Sequence, residues 1–187
     1  MPQNQLQVAD AADRIRGGGV VAYPTEAVYG LGCDPANENA VRRILALKSR
    51  PESAGLILIG SSFEQFNGWV GPVPGESLEA ALDSWPGPNT WLFPPGPRTA
   101  SWITGEHDSV AIRVTAHKLC IALCEAFGGP IVSTSANPRT SPPARTSAEV
   151  EAYFGQSISG IVAGELGSRE QCSSIRDVLT GRVIREG

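Results

Sequence analysis

The sequence has no long apolar run, which excludes a membrane-spanning helix from the expected architecture. Such a helix needs about eighteen consecutive apolar residues, whereas the apolar runs here are short, with 56–59 and 110–112 as examples. The first five residues, Met1 to Gln5, also lack the basic patch and apolar stretch of a secretory signal. We therefore expect a protein without membrane contact, located in the cytoplasm.

Histidine and cysteine are scarce and poorly spaced for a metal site. The two histidines, His107 and His117, complete no zinc-ligand pattern. The four cysteines form no Cys-x-x-Cys pair, and they are Cys33, Cys120, Cys124 and Cys172. Cys120 and Cys124 stand one helical turn apart in an apolar segment, which favours buried reduced thiols over a redox pair. The sequence therefore predicts a reducing compartment and no structural metal.

Common catalytic signatures are missing as well. The sequence contains no phosphate-binding P-loop, no His-Glu-x-x-His motif and no Gly-x-Ser-x-Gly elbow. Gly30-x-Gly32 is followed by Pro35 where a dinucleotide fingerprint requires a third glycine. With two histidines in the chain, a Ser-His-Asp triad is disfavoured. We expect a reaction that needs no nucleophile from the protein.

Length and patterning indicate the fold class. A chain of 187 residues with 41% hydrophobic content is typical of one globular domain, which we place at residues 7–187. Helix and strand patterns alternate through the first two-thirds, and a hairpin-like tail follows, which predicts an α/β or α+β fold with a mixed sheet flanked by helices. The net charge of −4 argues against a surface that binds nucleic acid everywhere, but it is compatible with a local basic groove.

The apolar spacing and the turn residues place the individual elements. Helices are predicted at 8–16, 37–47, 76–85, 117–127 and 146–154, with Asn37 as a cap and Thr146 and Glu149 as a capping box. Strands are predicted at 20–23, 56–59, 90–93, 109–114, 130–133, 161–163, 174–179 and 182–185. The segment 25–35, with two glycines, is predicted to be a loop, and strand 130–133 is expected to lead into a polar loop at 134–137.

Lys48 and Arg50 are the first candidate site residues. They stand where a helix ends and Pro51 disfavours its continuation. Two cations two residues apart can straddle a phosphate, the arginine as a planar fork and the lysine as a point charge. The alternative is that Lys48 complements the helix C-terminus and that both side chains are solvated.

Polar residues also concentrate where strands end, which is where ligands bind in open α/β sheets. Arg113 shares one strand face with Ala111 and therefore needs a partner, either an acidic side chain or an anionic ligand. The segment Ser133–Asn137 has three hydroxyls and an amide, which can present donors to a nucleotide. Alternatively, these groups form local hydrogen bonds in a turn before Pro138.

Six segments, taken together and in this order, carry a family resemblance over nearly all of residues 8–187: Tyr23–Asp34, Leu47–Pro51, Trp85–Thr90, Val110–Val114, Ser133–Asn137 and Ser173–Asp177. They resemble the TsaC/YrdC family of threonylcarbamoyl-AMP synthases, in its short bacterial form. The chain departs from the family at three places. First, Pro138-Arg139-Thr140 replaces the usual Leu-Ser-Gly, so we expect this loop to close differently. Second, Ser174 replaces a threonine. Third, Glu26 stands where many relatives have aspartate.

The resemblance implies a fold and a reaction. The fold is a twisted α/β sheet with a large concave basic groove, similar to the double-stranded-RNA-binding YrdC domain. The reaction is a nucleotidyl transfer that combines L-threonine, bicarbonate and ATP into threonylcarbamoyl-AMP and pyrophosphate. A carbamate oxygen attacks the α-phosphate, so positioning and cationic stabilisation suffice, with Mg²⁺ expected alongside ATP. Partner proteins then transfer the threonylcarbamoyl group to tRNA, beside the anticodon.

The resemblance also implies roles for residues in matching positions. Lys48 and Arg50 are implied to be catalytic and to contact the ATP phosphates. Further ATP-binding residues are implied at Ser109, Ser135, Asn137 and Arg185. Arg113 is implied to bind the threonine carboxylate, and the residues implied to help it hold the amino acid are Thr25, Ser133 and Ser173.

Two other interpretations remain open. A YrdC-like domain also occurs in the hydrogenase-maturation carbamoyltransferase, but that protein has acylphosphatase and zinc-finger parts for which this chain has no room. The second interpretation is a non-catalytic double-stranded RNA-binding module that uses the same groove. The acidic net charge weakens it, although contact with RNA through a basic groove stays compatible with the sequence.

Overall fold

The sheet that organises the molecule has ten strands. The computed structural model describes residues 5–169, 171 and 173–187, so the cysteine predicted as a buried thiol at position 172 lies outside the described residues. The strands are β1 Gln5–Leu6, β2 Val21–Pro24, β3 Tyr29–Gly32, β4 Ile57–Gly60, β5 Asn89–Phe93, β6 Val110–Val114, β7 Ile131–Ser135, β8 Gly160–Val162, β9 Ser174–Asp177 and β10 Val183–Arg185.

The strand order confirms a mixed sheet. Across the sheet the order is β1-β8-β2-β3-β7-β4-β6-β5-β9-β10. The pairs β1–β8, β2–β8, β4–β6 and β5–β9 are parallel. The other neighbours are antiparallel, and they include the predicted terminal hairpin of β9 and β10.

The helices are α1 Val8–Arg16, α2 Glu38–Lys48, α3 Gly75–Asp83, α4 Ser101–Thr104, α5 Lys118–Phe127 and α6 Ser147–Phe154. Both predicted caps are confirmed. The side chain of Asn37 accepts a hydrogen bond from the backbone N–H of Ala40, and Thr146 and Glu149 form the capping box of α6. Helix α4 was not predicted, because four residues are too few to show a helical period. Within the described ranges, no helix has the length and apolar character needed to span a membrane.

The predicted loop at 25–35 is wrong, because β3 lies inside it and pairs with β2. The two glycines that indicated a loop serve packing instead. A Cβ atom on Gly32 would lie 2.7 Å from Cε1 of Tyr23 and 2.8 Å from the main-chain oxygen of Val132. Since β3 also pairs with Thr134 and Ser135, β7 extends to Ser135, and the polar loop predicted at 134–137 begins two residues later.

The two faces of the sheet are covered to different extents. On one face, α1 and α5 pack on β2, β4 and β7 through buried residues such as Ile15, Leu123 and Ile59, each of which contributes about 1.5–3 kcal/mol on full burial. Ile57 lies two residues before Ile59 and therefore on the same face. Ile57 also lines two cavities, so this face is open beside it. On the opposite face, α2, α3 and α6 contribute to a second core.

Candidate functional site

Two cavities lie side by side on the open part of the sheet. The small cavity, of about 100 Å³, is lined by residues that include Thr25, Glu26 and Arg113. The large cavity, of about 250 Å³, has an aliphatic lining, with Leu56, Leu92, Ile103, Ile175 and Ile184 among its residues. Ile57 and Arg185 line both cavities, so the two share a wall. Two molecules bound here would meet at that wall.

The cavities are strongly basic, as the groove implied by the resemblance should be. Of the described residues that line them, four are arginines and one is an acid: Arg50, Arg113, Arg169, Arg185 and Glu26. The acid is already paired with an arginine. The site therefore has an excess of positive charge, which suits an anionic ligand.

Arg113, in β6, has the acidic partner that was one of the two alternatives left open by the sequence. Its Nη1 lies 2.5 Å from Oε1 of Glu26, and the hydroxyl of Thr115 donates to the same oxygen at 2.7 Å. Burial acts to raise the pKa of Glu26, but the charge of Arg113 and the bond from Thr115 outweigh it, so the pKa is lowered. Arg113 is 8% exposed and faces the small cavity, where an anion could also reach it.

The hydroxyl residues that the resemblance implied for threonine binding lie in or next to the small cavity. Thr25 and Ser173 line it. The hydroxyl of Thr25 donates to the main-chain oxygen of Val28 at 2.7 Å, which leaves its oxygen able to accept. Ser173 bonds to Thr90 at 2.8 Å. Ser133 is buried in β7 opposite Ile57, one strand away from the shared wall.

Lys48, the last residue of α2, is buried and joins two of the sequence segments. Its ammonium donates to the main-chain oxygens of Ser135 and Asn137, the latter at 2.9 Å, and to the side-chain oxygen of Asn137 at 3.2 Å. An ammonium has three donors, and all three are directed at protein oxygens here. Burial, with the charge of Arg50 in addition, lowers the pKa of Lys48 to about 8.

Arg50 and Arg185 stand at the large cavity, with Ser109 also in its lining. Arg50 donates from Nη2 to the main-chain oxygens of Ala54 and Gly55, both at 3.0 Å. Arg185 donates to the main-chain oxygen of Ser173 at 2.7 Å. Burial and then the charge of Arg185 lower the pKa of Arg50, because the two guanidinium groups are close. Arg185 lies at the shared wall and Arg50 lies in the lining of the large cavity, so two cations stand close together there, which suits an anionic ligand.

Ser135 and Asn137 form the local turn that was the alternative interpretation of their segment. The hydroxyl of Ser135 donates to the side-chain oxygen of Asn137 at 2.6 Å, and Nδ2 of Asn137 donates to the main-chain oxygen of Ser141 at 2.8 Å. Neither residue, nor Lys48, is in the lining of the two cavities. Their contact with a nucleotide therefore stays a prediction.

Three residues of the site were not identified from the sequence as functional candidates. Glu26 appeared there only as a departure from aspartate, and Arg169 and His107 did not appear as site residues. Arg169 lines the small cavity. His107 lines the large cavity, with its ring next to Gly55. Spacing did not mark them, because the residues that they meet, such as Arg113 for Glu26 and Gly55 for His107, are distant in sequence.

The cysteines and acids give no sign of a metal site within the ranges that the structure describes. Cys33, Cys120 and Cys124 are free and buried, and burial raises the pKa of Cys124 to about 12. These thiols therefore stay protonated at neutral pH. Among the described residues, no group of three or more His, Cys, Asp or Glu side chains is placed to hold a metal ion.

Comparison with known proteins gives consistent matches. A family model named Sua5/YciO/YrdC, with the description "Telomere recombination", matches residues 13–187. A protein of Halorhodospira halophila named threonylcarbamoyl-AMP synthase is 52% identical over 180 residues, which are 96% of this chain and 94% of that protein. A protein of Pseudomonas paraeruginosa with the same name is 53% identical over 175 residues, 94% of each chain. The structure of P. abyssi Sua5 complexed with L-threonine superposes with a TM-score of 0.85 at 37% identity, covering 91% of this chain and 50% of that longer one.

Proposed function

The chain belongs to the Sua5/YciO/YrdC family, and we propose that it is a threonylcarbamoyl-AMP synthase. It is then a nucleotidyltransferase that joins L-threonine, bicarbonate and ATP and releases pyrophosphate. The observation that carries this proposal is the shared wall. A small charged cavity and a large aliphatic cavity meet at Ile57 and Arg185, so two chemically different substrates can be brought into contact.

Each cavity suits one substrate. The small cavity, with Arg113, Thr25 and Ser173, takes threonine, whose carboxylate and hydroxyl need polar partners. The large aliphatic cavity takes the adenosine part of ATP, with Ser109 at its polar side. The phosphates then lie near Arg50 and Arg185, between the two cavities.

The reaction follows from this arrangement. Bicarbonate takes up a proton and loses water to give carbon dioxide, and the neutral threonine amine adds to the carbon dioxide and releases a proton, which gives a carbamate. A carbamate oxygen attacks the α-phosphorus of ATP, and the bond to pyrophosphate breaks. Negative charge grows on the α-phosphoryl oxygens and on the departing pyrophosphate, which Arg50 and Arg185 stabilise. The protein contributes position and charge, and no protein nucleophile is needed.

Lys48, Ser135 and Asn137 act beside this centre. The buried ammonium of Lys48 fixes the turn at Ser135–Asn137 and adds a third positive charge close to Arg50. A direct bond from Lys48 to a phosphate requires that one of its three bonds to protein oxygens be exchanged. Ser133, opposite Ile57, supports the same wall from β7.

Mg²⁺ is proposed as a companion of ATP rather than as a resident ion. The described lining of the cavities has one carboxylate, Glu26, and it is bound to Arg113 and Thr115. This set does not fit a protein-held Mg²⁺, which prefers free oxygen ligands. The ion is expected to arrive on the phosphate oxygens of the nucleotide.

The downstream partners are also proposals. A mixed carbamic–phosphoric anhydride is reactive, so proteins that transfer the threonylcarbamoyl group to tRNA must receive it from this enzyme. The basic cavities are compatible with contact to RNA, but relatives named for the synthase align over nearly the whole chain, which favours catalysis over a non-catalytic RNA-binding module. The free buried thiols support a reducing compartment, and we propose the cytoplasm.

The test is an assay of pyrophosphate release. Purified protein is incubated with ATP and Mg²⁺, and threonine and bicarbonate are added singly and together. The synthase releases pyrophosphate at a substantial rate only when both are present. Release that ignores threonine, or no release together with tight binding to duplex RNA, contradicts the proposal.

A further inference from the structure

We infer that Glu26 is the positioning residue of the small cavity, directing the guanidinium of Arg113 towards the substrate and holding the segment that carries Arg169. The inference rests on the proposed function, because it assumes that Arg113 binds the threonine carboxylate. It adds a role for an acidic residue in a cavity built to receive an anion.

The first support is the geometry of the ion pair. The side chains of Glu26 and Arg113 are only 14% and 10% exposed, and Nη1 of Arg113 lies 2.5 Å from Oε1 of Glu26. A guanidinium presents five N–H donors in a planar fork, so the bond through Nη1 restrains its direction and leaves donors for a second carboxylate. Arg113 can therefore bridge Glu26 and a substrate.

The carboxylate of Glu26 is itself held in place by a hydrogen bond from Thr115. The hydroxyl of Thr115, which is fully buried, donates to Oε1 of Glu26 at 2.7 Å. The same hydroxyl accepts from the backbone N–H of His117 at 3.2 Å, at the start of α5. A hydroxyl with one donor partner and one acceptor partner has a fixed direction. The position of Arg113 is thus tied to a helix terminus.

Charge separates positioning from acid–base catalysis. Burial alone raises the pKa of Glu26, but Arg113 and Thr115 lower it overall, so the carboxylate stays ionised at neutral pH. A carboxylate with a lowered pKa is a weak base for a threonine ammonium. Its negative charge instead compensates the buried positive charge of Arg113.

The main chain of Glu26 holds a second part of the cavity. The backbone N–H of Arg169 donates to the main-chain oxygen of Glu26 at 3.0 Å, and that of Gly167 donates to the oxygen of Thr25 at 2.9 Å. A Cβ atom on Gly167 would lie 2.7 Å from the main-chain oxygen of Glu26. The segment 167–169 therefore lies directly against Glu26 and brings Arg169 to the lining of the small cavity.

The test compares Glu26→Ala with Glu26→Gln, with Glu165→Gln as the matched control on an exposed acid. KM and kcat are measured separately for threonine and for ATP by pyrophosphate release. Glu26→Ala is expected to raise the KM for threonine by about tenfold or more and to change the KM for ATP by less than about twofold. Glu26→Gln keeps an oxygen that accepts from Arg113 and Thr115, so its threonine KM is expected to rise by less than about threefold.

Each other result overturns the inference. An unchanged threonine KM in Glu26→Ala shows that Arg113 needs no positioning. Equal losses in Glu26→Ala and Glu26→Gln show that the charge of Glu26, and not the direction of its hydrogen bonds, determines threonine binding, which overturns the positioning role. If Glu26→Ala does not fold, Thr115→Val decides: a rise of about threefold in threonine KM supports the inference, and no change overturns it. Failure of the proposed function is seen separately, as a wild-type protein without threonine-dependent release.

Discussion

The ammonium of Lys48 lies 2.9 Å from the main-chain oxygen of Asn137, and the side-chain oxygen of Asn137 accepts from it as well. Lys48 ends α2, whereas Asn137 follows β7, so the contact joins two segments that are 89 residues apart. Among its described partners Lys48 has oxygens with partial charge but no carboxylate. None of these partners neutralises the buried positive charge of Lys48, so the charge can act on a phosphate bound nearby.

The lowered pKa of Lys48 predicts a pH dependence of ATP binding. Burial and Arg50 bring the pKa to about 8, so the ammonium loses its charge as the pH rises through that value. The KM for ATP is expected to rise between about pH 8 and about pH 9.5, because neutral lysine attracts phosphate less. In the neutral variant Lys48→Gln, the KM for ATP should be higher and independent of pH over this range.

The stability of the fold should increase with pH over the same range, whereas ATP binding should weaken. The unfolded lysine keeps its proton up to its ordinary pKa of 10.5, whereas the folded residue releases it near pH 8. Between these values the unfolded state binds more protons, so the contribution of Lys48 to the free energy of unfolding increases with pH. A KM for ATP that stays flat, or that rises only with a falling Tm, contradicts the assignment of Lys48.

Arg113→Lys tests the binding of threonine with the charge preserved. Lysine can pair with Glu26 but cannot bridge two carboxylates in one plane. The kcat/KM for threonine is expected to fall by about 30- to 100-fold, with little change in the KM for ATP. Arg43→Lys, on an exposed arginine that donates to the main-chain oxygen of Ser157, is the control. A kcat/KM near that of the wild type would show that Arg113 is structural.

Ala111→Leu tests the assignment of the large cavity to adenosine. Ala111 lines this cavity and pairs with Ile57 in the neighbouring strand. A larger side chain at this position therefore occupies the cavity and does not enter the core. The KM for ATP is expected to rise by about tenfold, while the KM for threonine stays within about twofold. Ala116→Leu, on an exposed alanine two residues beyond β6, should leave both values as in the wild type. The opposite pattern, with threonine affected more, would exchange the two cavities.

Gly167→Ala tests the contact between the segment 167–169 and Glu26. An added Cβ would lie within 2.8 Å of two main-chain atoms of Glu26, so the segment must move away and displace Arg169. The kcat/KM for threonine is expected to fall by about fivefold or more, and the Tm should change little because the site of change is peripheral. Gly129→Ala is the control, since a Cβ there meets nothing within 4 Å.

Local signals predicted most of the fold correctly. The spacing of Val8, Ala11 and Ile15 predicted α1, and Asn37 and Thr146 marked two helix starts because capping depends on residues three positions apart. β3 was missed because its glycines, Gly30 and Gly32, are explained by the ring of Tyr23 in the neighbouring strand. When a glycine is required by packing against a neighbouring strand, the residues around it in the sequence do not show the reason.

The site residues, like the elements of the fold, could be predicted only where the local sequence marks them. Arg113 was identified because a cation in an apolar strand needs a partner, whether that partner is an acidic side chain or an anionic ligand. The identity of that partner, Glu26, could not be predicted, since the two residues are 87 positions apart and three strands, β3, β7 and β4, stand between β2 and β6 in the sheet. His107 and Arg169 reach the cavities from segments whose course depends on tertiary contacts.

The most direct measurement follows labelled carbon from bicarbonate into the product. The protein is incubated with labelled bicarbonate, threonine, ATP and Mg²⁺. The nucleotides are then separated, and their masses are measured by mass spectrometry. The account predicts one adenylate that contains both threonine and the labelled carbon, in an amount equal to the pyrophosphate released. Pyrophosphate released without that adenylate, or an adenylate of threonine without the labelled carbon, would contradict it.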